Sequence, residues 1–166
     1  MVTQVASGIL DLSKVYARLN MAARYQKLAD HYSRRVDHRD WSILLLEGLT
    51  YKKVLDAYRE AGILFGELMP FFEGLENEIQ DERHPTDGSY LISFDSNCEV
   101  VPHETCYSCD EMKRNGLCGS TALERLLLGI GYYYETGRHL DTRGVTLCNG
   151  SVYKNQFMYV RFLPAV

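Results

Sequence analysis

Hydrophobic positions recur at threes and fours through the first part of the chain. Val15, Leu19, Ala22, Tyr25, Ala29, Tyr32 and Val36 share one face of a 3.6-residue period, which predicts a long amphipathic helix from about Asp11 to Val36. Asp40 is placed to cap a short second helix carrying Trp41, Leu44 and Leu45, which Gly48 interrupts. Thr50 caps a third helix with Val54, Leu55, Tyr58 and Ala61 along one side, and Gly62 stands where a left-handed C-terminal residue belongs. A fourth apolar segment, Ile63 to Ile79, contains Pro70, which kinks a helix or starts a new one.

Beyond Pro85 the period shortens to two. Asp87-Gly88 precedes Tyr90, Ile92 and Phe94 at alternate positions, and Asp95-Ser96-Asn97 turns the chain into Cys98 to Val101, which predicts a hairpin. Val145 to Cys148 and Phe157 to Phe162 predict a second, its turn region opening with Asn149-Gly150, a pair that accepts positive backbone dihedrals. Between the hairpins, Ala122, Leu123, Leu126, Leu127, Ile130, Tyr133 and Tyr134 form an apolar helix ended by Gly137. Gly129 and Gly131 within it each cost about 1 kcal/mol relative to alanine, so they mark close packing, a bend or an early end. The expected fold is α+β: a helical N-terminal half, residues 1–84, followed by an antiparallel β-β-α-β-β half, residues 85–166, as one unit sharing a core.

At 166 residues, 46% hydrophobic and 24% charged, the chain can build such a core. It has no apolar run of about 18 residues, and Met1 to Leu12 lacks the pattern of a secretory signal, so the expected location is cytoplasmic. The net charge of −4 is unevenly spread. Lys14, Arg18, Arg24, Lys27, Arg34 and Arg35 face only Asp11 and Asp30, whereas Glu67, Glu73, Glu76, Glu78, Asp81 and Glu82 stand in a stretch without bases. That gradient suits docking to a charged macromolecular partner, with Arg34, Arg35, Glu73, Glu76 and Glu78 as the expected contacts. No phosphate loop, dinucleotide fingerprint or HExxH is present, which disfavours ATP-dependent, Rossmann-type and zinc-protease chemistry.

Five cysteines supply the remaining chemistry, four of them spaced Cys98-x7-Cys106-x2-Cys109-x8-Cys118. The Cys106–Cys109 step lets two thiolates meet one tetrahedral zinc, with Cys98 and Cys118 completing the set and His103 in reserve. The competing reading is that the thiols are small core hydrophobes. Cys118 also leads into the apolar helix, where free amides and the macrodipole would stabilise a thiolate.

Asn115-Gly116-Leu117-Cys118-Gly119-Ser120 is similar to the Gln-Gly-x-Cys-Gly-Ser-Cys-Trp stretch of papain-like cysteine proteases, with the family's nucleophile falling on Thr121. Arg114 to Cys118 resembles the Arg-Gly-Gly-x-Cys of arylamine acetyltransferases. Both resemblances imply a downstream histidine, and His139 is the one that follows Cys118, so a thiol enzyme using Cys118 and His139 is the catalytic alternative.

Gly48 to Ile63 resembles the first two helices of compact bacterial helix-turn-helix domains, which implies DNA binding. The recognition segment would be Leu64 to Glu78, which has four glutamates and no lysine or arginine, so nucleic acid is the disfavoured partner. The order of elements resembles the 4-vinyl-reductase domain of bacterial hydrocarbon sensors and the TRAPP vesicle-tethering subunits. In the sensors a cysteine before the helix and a Glu-x-x-Cys after it hold zinc; Cys118 and Cys148 match two of those ligands, and Val145 takes the glutamate position. The expected function is non-enzymatic recognition of a protein partner, as a regulator, adaptor or inhibitor, with a small-ligand or structural zinc site as a secondary role.

Overall fold

Trp41 to Leu45 are buried at every position, and a five-residue apolar run covered on both faces is the pattern of a central strand. A computed structural model, which describes residues 8–33, 41–63, 77–94, 111, 114–115 and 119–162, makes this segment strand β2 (Trp41–Leu45). On one side it pairs in parallel with β1 (Gly8–Ile9), on the other antiparallel with β4 (Tyr90–Phe94), Ile43 opposite Ile92. The second helix expected here is therefore a strand. Short apolar runs fit both periods, and two flanking strands decide between them.

The long first helix divides. α1 (Ser13–Arg18) ends where Asn20 adopts a left-handed φ of 57°, Met21 N–H bonds Tyr16 O at 2.8 Å, and α2 (Ala22–Tyr32) begins. Asparagine here does what glycine usually does at a helix C-terminus. The corner packs back on the β1–β2 edge through stacked Tyr16 and Tyr25. Tyr16 OH donates to Leu44 O at 2.7 Å, and Tyr25 OH to Leu10 O at 3.1 Å. The tyrosines fill core volume while their hydroxyls bond backbone.

α3 (Tyr51–Glu60) matches its expected limits, with Thr50 Oγ1 accepting from Lys53 N–H and Gly62 at φ 69°. The apolar segment that follows, including Pro70, lies largely outside the described residues, as does the Cys98–Val101 half of the first hairpin. A second sheet runs β3–β5–β6, from β3 (Gln80–Asp81), β5 (Thr146–Tyr153) and β6 (Gln156–Val160), all antiparallel. α4 (Ala122–Thr136) is uninterrupted, ends on Gly137 at φ 69°, and contacts both sheets.

Helices and strands thus interleave, so the fold is mixed α and β but not a helical half followed by a β-β-α-β-β half. The pairings β2–β4 and β3–β5 both cross residue 84. One hydrophobic cluster extends from Leu10 to Phe162.

The turn of the last hairpin is also not where Asn149-Gly150 placed it. Lys154 and Asn155, at φ 47° and 63°, make the two-residue turn, while Asn149 and Gly150 lie in β5 where the register with β6 shifts. A Cβ on Gly150 would meet Ser120 O at 3.0 Å and Gly119 O at 3.1 Å, so glycine serves close backbone approach here.

Candidate functional site

Among the described residues, buried Thr121, Glu124, Asn149 and Ser151 gather where this irregular part of β5 meets the start of α4. A helix leaves its first amides without intrahelical partners, and here four are taken in succession. Thr121 N–H bonds Glu124 Oε2 at 2.7 Å, and Glu124 N–H bonds Thr121 Oγ1 at 3.1 Å, a capping box. Ala122 N–H bonds Ser151 Oγ at 2.7 Å, and Leu123 N–H bonds the Tyr51 hydroxyl at 3.2 Å.

Both hydroxyls then donate to Asp81. Tyr51 OH reaches its two oxygens at 2.9 and 3.0 Å, and Ser151 bonds Oδ1. Burial raises the Asp81 carboxyl above its ordinary value, against the two hydroxyl bonds, and burial above all else raises Tyr51 as well. Arg83 closes the outside of the clasp. Its guanidinium binds both oxygens of Glu124 at 3.1 Å and Gly119 O at 2.7 Å, and Tyr90 OH donates to Glu124 at 2.9 Å.

This array contains a serine, a carboxylate and a tyrosine that are bonded to one another and to the helix start. Ser151 is fully buried, its oxygen accepts an amide while its proton goes to Asp81, and His84 acts on Asp81 only electrostatically. What the arrangement does is fasten α3, β3, β5 and α4 at one point.

The four-cysteine zinc set, Cys98, Cys106, Cys109 and Cys118, lies outside the described residues, as do His103, Arg34, Arg35, Glu73 and Glu76. Among the described residues no group of three or more His, Cys, Asp or Glu side chains could hold a metal ion. Cys148 does not fit the sensor-type zinc set: it is a buried core thiol, pushed by desolvation up to about 12, and exposed Val145 offers no carboxylate. Cys118 thus lies outside the described residues, and the helix that follows it is capped by Thr121, with the first amides of α4 all bonded.

His139 stacks between Tyr133 at 4.8 Å and Phe162 at 5.9 Å. Its Nδ1 is buried without a hydrogen-bond partner among the described residues, and desolvation lowers its pKa. Glu78 is exposed just before β3 and acts electrostatically on Lys154, whose ammonium lies over the Tyr153 ring. On the basic side of the molecule, Arg18 pairs with Glu60 at 3.4 Å and Arg24 with Glu47 at 2.5 Å.

A different kind of surface lies on the outside of the second sheet. Cys148 and Val160 point inward to the core, so Leu147 and Tyr159, which are register partners, point outward. Two residues before Leu147, Val145 falls on the same side. Val145, Leu147 and Tyr159, at 41%, 37% and 48% exposure, are the exposed large hydrophobics among the described residues.

Thr121-x-x-Glu124 ahead of an apolar run is a sequence signature of a helix start and could have located the cap. No spacing signal links Tyr51, Asp81 and Ser151. The outward strip was available from the alternation Val145, Leu147 and Tyr159 once the register was known. Comparison of the chain with family models, with curated proteins and with solved structures finds no match.

Proposed function

We propose that the protein is a non-enzymatic recognition protein, a regulator, adaptor or inhibitor, that docks a protein partner on the outer face of the β5–β6 hairpin. The observation that carries this reading is the gathering of Val145, Leu147 and Tyr159 on one exposed face. Tyrosine is over-represented at interfaces, where its ring gives large contact area and its hydroxyl a polar handle. The hairpin is a rigid platform for such a face, since its inner side packs on α4 and β5 is fastened to that helix through Ser151. The catalytic alternative has less support: the hydroxyls and carboxylates described at the α4 start are engaged with one another.

Arg34, Arg35, Glu73, Glu76 and Glu78 belong to the same proposal as charged contacts that tune association rate and salt dependence. The test is affinity purification of the wild-type chain and of a Leu147→Asp/Tyr159→Asp variant from cells that produce it. The variant should lose its specific partner with its unfolding midpoint unchanged; retention of every partner at equal yield contradicts the reading.

A further inference from the structure

The segment that forms the apolar strip carries charges of one sign. From Thr142 to Phe162 the chain carries Arg143, Lys154 and Arg161 and no aspartate or glutamate, although acidic residues outnumber basic ones by four overall. Arg161 is exposed two residues beyond Tyr159, and Arg143 is exposed two residues before Val145. Since Thr146 pairs with Val160, these two arginines stand at the same end of the strip. Lys154 is at the opposite end, beside Tyr153 and in the field of Glu78, and adds little there.

Resting on the docking reading above, we infer that the partner is a protein segment whose apolar side chains are accompanied by aspartate or glutamate, the apolar groups covering Leu147 and Tyr159 and a carboxylate meeting Arg161. Complementary charge beside an apolar contact selects the partner and speeds its encounter. A nucleic acid would need many phosphate contacts to overcome the net charge of −4, and three cations cannot supply them. An anionic bilayer attracts basic residues to its surface, an attraction that the same acidic excess opposes.

The experiment is panning of a displayed library of random linear peptides against the purified chain, with Leu147→Ser/Tyr159→Ser and Arg161→Glu variants as comparison targets. Unfolding midpoints establish that each variant is folded. The expected result is enrichment of peptides that combine aromatic or aliphatic residues with Asp or Glu, bind severalfold more weakly as salt is raised, and lose binding to both variants. Enrichment of neutral or basic peptides that need Tyr159 but ignore Arg161→Glu overturns the acidic partner and leaves the docking face standing. Enrichment that ignores the Leu147→Ser/Tyr159→Ser change, or no enrichment at all, overturns both. Binding to phosphatidylserine vesicles or duplex DNA that requires Tyr159 and Arg161 also overturns the protein partner.

Discussion

The side-chain oxygen of Asn149 stands where a Cβ on Gly119 would project. The approach is tight because the chain entering α4 lies directly on β5: Gly150 N–H bonds Ser120 O at 3.1 Å and Arg83 holds Gly119 O. Gly119→Ala must push that contact apart, and forcing atoms into a packed site costs about 1–3 kcal/mol. Chemical denaturation should show a lowered midpoint with unchanged slope; an unaltered midpoint would show that the loop yields freely.

Asp81 sets a pH dependence. Burial holds its carboxyl above the ordinary value of 3.8, so the folded chain binds this proton more tightly than the unfolded chain. Its contribution to stability is therefore fully present below pH 3.8 and is lost as pH rises through the raised value. Stability measured against pH for the wild type and Asp81→Asn should diverge over that window, the wild type losing stability relative to the variant as pH rises. Parallel curves would mean that the carboxyl titrates as it would in water.

Gly129 and Gly131 make a contrasting pair. A Cβ on Gly129 would strike the Phe162 ring and stand 2.7 Å from the Tyr58 hydroxyl, itself bonded to Leu126 O. On Gly131 it would meet chiefly Leu12 Cδ2, the end of a flexible side chain, at 2.7 Å. Alanine gains about 1 kcal/mol in helix propensity at either position. Gly129→Ala should nevertheless be clearly destabilising and Gly131→Ala close to neutral, as read by thermal unfolding; equal effects would remove the packing explanation.

His139 works in the opposite pH direction. Burial lowers its folded pKa below the ordinary 6.5, so stability is lost as pH falls through 6.5 toward the lowered value. The imidazolium would also bring a second N–H to a buried Nδ1 that has no acceptor among the described residues. His139→Phe, which keeps the stack on Tyr133 and Phe162, should flatten that acid-side loss in urea unfolding; an unchanged profile would assign it to other groups.

What could be read from the sequence was local. Thr50, Gly62 and Gly137 mark helix ends by their own backbone chemistry, and each sits as expected. Trp41–Leu45 is a strand and not the expected helix because a five-residue apolar run satisfies either period until its neighbours in the sheet are known. Asn149-Gly150 suits a turn and an irregular strand equally, and the choice fell to Lys154 and Asn155, which accept positive φ without glycine. Tyr51, Asp81 and Ser151 meet across separations of 30 and 70 residues, which no short-range pattern encodes. The outward strip depends in the same way on the register of Leu147 with Tyr159.

The docking face is tested most directly by placing a photoreactive phenylalanine analogue at position 159, and for comparison at exposed Arg59 on α3, in cells that produce the chain. A defined cross-linked protein is expected from position 159 and not from position 59, and in purified form that protein should bind the wild-type chain and fail to bind Leu147→Ser/Tyr159→Ser. Cross-links that are the same from both positions, or a captured protein that binds the double variant as well as the wild type, would contradict it.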